Sequence, residues 1–428
     1  MNTVNIWLVN HYANSPHEPG DARHWSHARE LMRRGHRVTV ISSSFHHLKH
    51  EQMKSVSRDR TVHQKVEGVP FVWMPTIGYQ TDSILRVAGF FEFGYRVWRG
   101  NWAAHLTPPD LIVGSSPHPF AALGAERLAT RYGVPFVLEL RDAWPYVLTE
   151  VGGYSRFHPF VILVDRTMRF LYKRAARIIL FSRDSIGELA KMGGDPKKVV
   201  WVPHGVDLTL TPEPNPAPSD QVFTVKYIGA HNQWNSLDRI LDAAKHLQEK
   251  GVKGIEFRFI GDGVRKPFLK ARAEGENIRN VHFDDPVPKN KIANILHDAD
   301  AFILNNRVDG VSKRWMSFNK IYEYLAARRP VVFGSCTASN PVQESGAGVL
   351  VEAGNHVQIA EAVEMLAGMT PEHLDEMGLR GRMHIEANYS IKAIVNTFER
   401  MALDLVRRDR EHAVTTLPVP DRRYSSRI

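Results

Sequence analysis

Residues 317–334 read SFNKIYEYLAARRPVVFG. The segment predicts a helix that stops at Arg328-Arg329-Pro330 and returns at once into the apolar run 331–333, of the kind that fills a buried strand. Ser317 or Asn319 is placed to cap the helix, and Tyr322, Leu325 and Ala326 make its buried side. Lys320 and Glu323 stand three residues apart and share one face near the helix mouth. Free amides and a lysine at that end attract phosphate, and a glutamate accepts hydrogen bonds from ribose hydroxyls. A surface ion pair is the commoner meaning of such a spacing, so the pair gains weight only from its surroundings.

Those surroundings repeat one pattern. Strand-like runs fall at 6–9, 38–42, 71–74, 111–113, 136–140, 178–181 and 199–202, with helical patterns at 22–34, 120–132 and 185–192. After the proline-rich connector TPEPNPAPS at 211–219, the alternation restarts. Strands are expected at 223–228, 255–260, 281–283, 301–304, 331–333 and 349–351, and helices at 237–249, 289–296 and 355–366. Such alternation predicts an α/β chain of two doubly wound domains, whose ligands bind beyond the carboxyl ends of the strands. A length of 428 residues suits two cores. The pattern at 391–406 reads as a last helix, and 411–428 lacks apolar periodicity and is expected to be a flexible tail.

Composition narrows the classes. The one cysteine, Cys336, cannot form an intrachain disulfide. Lysine and arginine total 55 against 46 acids, giving +9, a balance that favours phosphorylated ligands or anionic lipid. No helix-turn-helix, zinc-finger or RNA-recognition signature points to nucleic acid. No G-x-G-x-x-G follows the first strand, which counts against an NAD enzyme. C-x-x-C, H-E-x-x-H and G-x-S-x-G are absent, so metal and serine-nucleophile chemistry find no support. The amino terminus lacks a basic flank followed by an apolar stretch, and no window approaches a membrane span, so a cytosolic location is expected.

The motif S-x-x-K-x-x-E-Y-L-A-A-x-x-P-V-V resembles the donor-site segment of retaining glycosyltransferases of family 4, in the branch that builds bacterial surface polysaccharides. Further landmarks stand in the family's order: ARELMRRGHRVTV at 28–40, ELRDAWP at 139–145, VPHGVD at 202–207 and FIGDG at 259–263. The resemblance implies the GT-B fold, two Rossmann-like domains facing a cleft. Residues 1–207 would bind the acceptor and 208–390 a nucleoside-diphosphate sugar, with a final helix at 391–408 packing back on the first domain. It implies no cofactor and no bound metal.

Site residues follow from the same matches. Gly20, in HEPGDAR at 17–23, would let the backbone approach the donor phosphates. Gly229, Gly261, Asp262, Val287, Lys320 and Glu323 are the other donor-binding candidates, Val287 beside the base. Arg141, Asp142 and Lys320 are the catalytic candidates, and His118 and Trp144 the acceptor-binding ones. Three departures stand out. Arg141 occupies a position where many members have histidine, Trp315 replaces the first acid of E-x7-E, and 229–235 lacks the usual Arg and Lys that grip the diphosphate. Charge neutralisation then falls to Lys320, with Arg307, Lys313 or Arg314 in reserve, and Asp309 or Trp315 shapes the sugar pocket. A nucleotide-sugar 2-epimerase, or a non-catalytic sugar-binding scaffold, is the alternative reading.

A second region, 84–102, carries Ile84, Val87, Ala88, Phe91, Tyr95, Trp98 and Trp102 at helical spacing, flanked by Arg86, Arg96 and Arg99 and widened by Phe90 and Phe93. Such a stripe either faces the core or meets an anionic membrane surface. Residues 156–177 repeat the mixture of apolar and basic side chains.

Overall fold

Parallel strands of near-continuous apolar sequence must be covered on both faces, and the chain builds that arrangement twice. The computed structural model describes residues 3–16, 18, 22–53, 60–81, 84–209, 222–287, 292–306, 319–335, 337 and 340–416. Strands β1 (Asn5–Val9), β2 (Arg37–Ser43), β3 (Val62–Val66), β4 (Val69–Met74), β5 (Leu111–Ser115), β6 (Phe136–Glu139), β7 (Arg177–Leu180) and β8 (Val199–Trp201) form an eight-stranded sheet in the order β8-β7-β6-β5-β1-β2-β4-β3. Among the described residues of this sheet, only the β3–β4 hairpin is antiparallel. Its turn places Glu67 at φ 46° and Gly68 at φ 86°, the paired positive φ values of a tight hairpin turn. The sequence reading omitted β3 because VHQKV offers little apolar alternation.

Strands β9 (Phe223–Ile228), β10 (Ile255–Ile260), β11 (Val281–Asp284), β12 (Ala301–Asn305), β13 (Val331–Ser335) and β14 (Gly348–Glu352) form the second sheet, all parallel, in the order β11-β10-β9-β12-β13-β14. This is the doubly wound order, with its switch point between β9 and β12. The equivalent reversal in the first sheet lies between β1 and β5. The expected α/β fold of two Rossmann-like domains is therefore what forms. The helices used below are α1 (Arg23–Arg33), α2 (Ile84–Arg99), α3 (Pro119–Tyr132), α4 (Leu237–Glu249), α5 (Asn319–Ala326) and α6 (Ile391–Thr416).

Burial follows the two-residue period of the strands. Along β1, Ile6 and Leu8 enter one apolar cluster and Trp7 and Val9 the other. The Ile6 cluster is completed by α6, through Ile394, Val395, Phe398, Ala402 and Leu405. The chain thus returns from the second domain to cover the first. Two segments cross at that return, where Val206 N–H donates to Tyr389 O (3.0 Å) and Ile391 N–H to Val206 O (3.1 Å). Gly205 is required there, since a Cβ would lie 2.1 Å from Ile394 Cδ1 and 2.5 Å from Tyr389 O. On the outer side, Arg34 and His36 bind Glu399 of α6 (2.7 and 2.8 Å).

One expectation changes. The helix reaches Thr416, so 411–416 belong to α6 and not to a tail. Repeated Arg–Asp pairs, such as Arg408 with Asp404 at i,i+4 (3.0 Å), and the long-range pair Arg410–Asp110 (2.7 Å) support this polar extension. The remainder of the tail, 417–428, and the connector 211–219 lie outside the described residues.

The structure also gives 84–102 an orientation, which the sequence left open between core and surface. Ile84, Phe91, Tyr95 and Trp98 are exposed, while Phe90, Phe93, Val97 and Trp102 are buried. The core side of α2 is set by backbone contact with α3. A Cβ on Gly94 would lie 2.4 Å from Phe120 O, and one on Gly124 2.3 Å from Gly94 O. The helices meet where neither has a side chain, and this turns the longer aromatic stripe outward.

Gly94→Ala should therefore destabilise the first domain by ~1–3 kcal/mol or more, as overpacking of a closed contact does. Gly187→Ala, whose Cβ would meet nothing within 4 Å, is the control. Chemical denaturation measures both, and equal midpoints would refute the contact.

Candidate active site

The carboxyl edge of the second sheet gathers the donor-side candidates. α5 follows β12, and its first turn sits beside the end of β9. Tyr324 locks the two together, its hydroxyl accepting from Ile228 N–H (2.8 Å) and donating to Ile228 O (3.1 Å). From this anchored helix Lys320 runs across Gly229, where a Cβ would lie 2.2 Å from Lys320 Cε. Its Nζ stands 5.7 Å over the Tyr227 ring. Gly261 underlies the same point, since its Cβ would lie 2.1 Å from Gly229 O. The two glycines let the loops after β9 and β10 stack tightly and leave a groove for the lysine. Burial lowers the pKa of Lys320, and the charge of Glu323 works against that shift. The pair thus acts as a unit at the helix mouth.

Asp262 closes its own turn, its carboxylate accepting Gly263 N–H (2.8 Å) and its carbonyl accepting His231 N–H (2.8 Å). Val287 follows β11 at the same edge and is half-buried. Gly20 lies outside the described residues, as do Arg307, Asp309, Lys313, Arg314, Trp315 and Ser317.

The facing edge of the first sheet is organised by a residue that the sequence reading quoted but gave no role. Glu139 ends β6 and is buried. It accepts from Arg23 Nε (3.1 Å), from His24 Nε2 (2.9 Å) and from Ser115 Oγ (2.5 Å). Burial alone would raise its pKa, but His24, Arg23 and Arg141 hold it well below the usual carboxylate range. Arg23 also donates to Pro203 O (2.5 Å) and Val202 O (3.0 Å), so one carboxylate ties the start of α1 to β5, β6 and the loop after β8. The available signal was a lone acid closing an apolar run, opposite an arginine and a histidine that open a helix.

The catalytic candidates lie just beyond it. Arg141 is half-buried, its guanidinium 5.4 Å over the Phe181 ring and its backbone N–H donating to Ser116 Oγ (3.3 Å). Asp142 sits at the sheet edge, where part of the residue reaches solvent while the surrounding protein crowds its carboxyl. The acceptor candidates are placed differently. His118 is fully buried; its Nδ1 accepts Ala121 N–H (3.3 Å) to cap α3, and its Nε2 lies 2.7 Å from His11 Nδ1. Because Nδ1 accepts, Nε2 carries the proton and donates to His11. Burial first, then His11 and Arg86, hold His118 well below its ordinary pKa, and burial with His47 and Arg86 brings His11 to about 3. Contact of His118 with an acceptor is corrected to a core role, because both nitrogens are spent. Trp144 is also largely buried, within the apolar cluster that holds Trp7 and Leu138, so its ring packs the first domain and does not line an open surface.

Residues 22–205 match the family description "Glycosyl transferase 4-like domain", and residues 222–368 match "Glycosyl transferases group 1". The two matches place the chain in the GT-B glycosyltransferase family of the 4-like type. Among curated relatives, WcaI of Escherichia coli K12, named for colanic acid biosynthesis, is 21% identical over 59% of this chain and 64% of its own length. The chain therefore spans a little under two thirds of that relative. WbjE of Pseudomonas aeruginosa, named as a glycosyltransferase, is 22% identical over 69% of this chain and 72% of its own. Among solved structures, sucrose-phosphate synthase from Thermosynechococcus elongatus superposes with a TM-score of 0.72, at 14% identity, over 95% of this chain and 100% of that one. Anabaena Alr3699/HepE, solved with UDP-glucose, gives 0.64 at 14% identity over 94% and 100%. These likenesses establish the shared fold.

In this member of the family, two carboxylates at the edge of the first sheet behave oppositely. Glu139 is held ionised by its partners. Asp142 is raised from 3.8 to about 6, because desolvation by the surrounding protein outweighs the attraction of Arg141 and Arg86. The folded state therefore binds more protons than the unfolded one between about 3.8 and about 6, and Asp142 lowers stability as pH rises through that window. Asp142→Asn should gain melting temperature relative to the parent from pH 4 to pH 6 and keep a constant difference above it. A pH-independent difference in scanning calorimetry would show that Asp142 titrates normally.

Proposed function

We propose that this glycosyltransferase transfers a sugar from a nucleoside-diphosphate donor, with retention at the anomeric carbon, to a glycan or lipid-linked acceptor in cell-surface polysaccharide biosynthesis. The observation that carries the reading is the Lys320–Glu323 pair at the mouth of α5, laid over Gly229 and Gly261 at the switch point. A cation and free helix amides there suit a diphosphate, and a carboxylate one turn on suits ribose hydroxyls. The names of WcaI and WbjE and the UDP-glucose in the HepE structure support the substrate class.

In a retaining transfer the bond from the anomeric carbon to the diphosphate breaks, and the acceptor oxygen bonds to that carbon on the same face. The acceptor hydroxyl proton passes to the departing phosphate oxygen. Lys320 stabilises the charge that develops on the leaving group, a contribution that grows toward the transition state. Residues 208–390 hold the donor and 1–207 the acceptor, with Arg141 and Asp142 at the facing edge. No protein nucleophile, metal or cofactor is assigned a step.

We further place the enzyme at an anionic membrane surface, on the cytoplasmic side. No helix among the described residues is long and apolar enough to cross a membrane. Support comes from the outward face of α2, where Ile84 is 87% exposed and Phe91, Tyr95 and Trp98 between 42% and 50%. Aromatic contacts continue from Phe91 to Phe120 (4.1 Å) and on to Phe160 (6.3 Å). Arg99 and Arg156 lie over Tyr95 and Phe157 (5.9 and 4.7 Å), so cations rim the apolar face. A cavity of about 890 Å³ opens beside its start, lined by Phe45, Tyr79, Ile84 and Leu85.

Two experiments test these assignments. Lys320→Ala and Glu323→Ala should each weaken nucleotide-sugar binding by roughly 1.5–3 kcal/mol while the fold persists, the loss expected for a charge-assisted hydrogen bond. Unchanged affinity by calorimetry in both would remove the donor assignment. Phe91→Ser with Trp98→Ser should abolish salt-sensitive sedimentation with anionic liposomes and leave the melting temperature unchanged. Equal sedimentation of parent and variant would dismiss the membrane face.

A further inference from the structure

The loop after β9 has no arginine or lysine between Gly229 and Asn235, yet a diphosphate at the switch point needs cations on more than one side. α4 leaves β9 toward β10, and α5 leaves β12 toward β13. Right-handed crossovers in opposite directions put these helices on opposite faces of the sheet, with both amino-terminal ends at the carboxyl edge. Lys320 serves the α5 side. On the α4 side lies a cavity of about 430 Å³, lined chiefly by Gln233, Ser236, Asp238, Arg239, Arg265 and Asn306.

Three independent features of that cavity want an anion. Asn306 is 3% exposed, and its side-chain Nδ2 has no hydrogen-bond partner among the described residues. A buried donor left unpaired is costly, so such a group marks a place where a ligand oxygen completes the structure. Arg265 has no carboxylate within ion-pair distance among the described residues. Its backbone N–H is fixed by His231 O (3.0 Å) and its guanidinium rests 4.4 Å over the Phe268 ring. α4 begins at Ser236, in a left-handed conformation (φ 41°), with no side chain capping its first N–H groups. The other charges are accounted for, since Arg239 pairs with Asp242 (3.2 Å) and stands near Asp238 (3.9 Å).

We propose that this cavity receives a phosphate of the donor diphosphate, with Arg265 and Asn306 as its ligands. The grip absent from the loop after β9 is then supplied by the loop after β10 and the end of β12. The inference rests on the nucleoside-diphosphate reading above and assigns the residues that complete it. Arg265 offers a planar fork to two phosphate oxygens, Asn306 donates one hydrogen bond, and the α4 amides face the same charge.

The test is calorimetry on the full chain with UDP, GDP, ADP and dTDP, with the corresponding nucleosides, and with inorganic phosphate. Arg265→Gln and Asn306→Leu should each weaken the nucleoside diphosphate that the parent binds by about tenfold or more, leave the nucleoside unchanged, and keep the parental melting temperature. Arg265→Lys should recover part of the loss, and Asn306→Asp, nearly the same size, should weaken binding further by repulsion. Undiminished diphosphate affinity in Arg265→Gln and Asn306→Leu overturns the inference while the donor reading stands. So does an equal loss for the nucleoside, which would mean general distortion, or a loss confined to inorganic phosphate, which would mean a separate anion site. A parent chain that binds none of the nucleoside diphosphates defeats the donor reading itself, and this inference with it.

Discussion

A parallel strand cannot be followed by a tight hairpin; its partner must start again from the same end, so every connection crosses back over the sheet. That constraint organises this molecule. Most crossovers return through a helix, and the loops that leave the parallel strands collect on one edge of each sheet. Gly229, Gly261, Val287 and the start of α5 share the edge of the second sheet, and Glu139, Arg141 and Asp142 share that of the first. The switch between β9 and β12 then parts the loops and sends helices to opposite faces, leaving a crevice with a helix amino terminus on either side.

Within that frame, placement to the ångström is set by backbones that touch. Gly229 and Gly261 let two loops stack beneath Lys320, Gly94 and Gly124 let α2 and α3 meet without side chains, and Gly205 lets the two interdomain segments cross. In each case the residue matters for the atom it lacks. The consequences differ. The first sets a lysine at the helix mouth, the second chooses which aromatic face of α2 looks outward, and the third brings α6 back to finish the core of the first domain.

The two domains handle charge differently. Glu139 is a buried carboxylate whose desolvation is offset by Arg23, His24 and a serine hydroxyl, and it holds this edge of the first sheet together as a structural hub. Asp142, three residues on, lies among enough protein to lose solvation without an equal return, and its pKa rises to about 6. A carboxylate held ionised and one raised toward neutrality thus stand side by side. At the edge of the second sheet burial lowers the pKa of Lys320, and Arg265 has no carboxylate within ion-pair distance among the described residues.

Local sequence was sufficient for the parallel strands and their order of appearance, because a buried parallel strand is a short apolar run that announces itself without reference to its neighbours. It was sufficient too for the Lys320–Glu323 pair, since both sit on one turn of one helix. It could not show that Glu139 meets Arg23 and His24, more than a hundred residues away, because neither spacing nor composition encodes a contact between separate elements. It placed His118 with the acceptor, although its neutral ring is consumed by a cap and by His11, and it left the stripe of α2 open between core and surface, because aromatic periodicity suits either side equally. Hydrophobic pattern states how much apolar surface a helix carries. Which of its faces is buried was decided only in the tertiary structure, where Gly94 and Gly124 admit one close approach of backbones and no other.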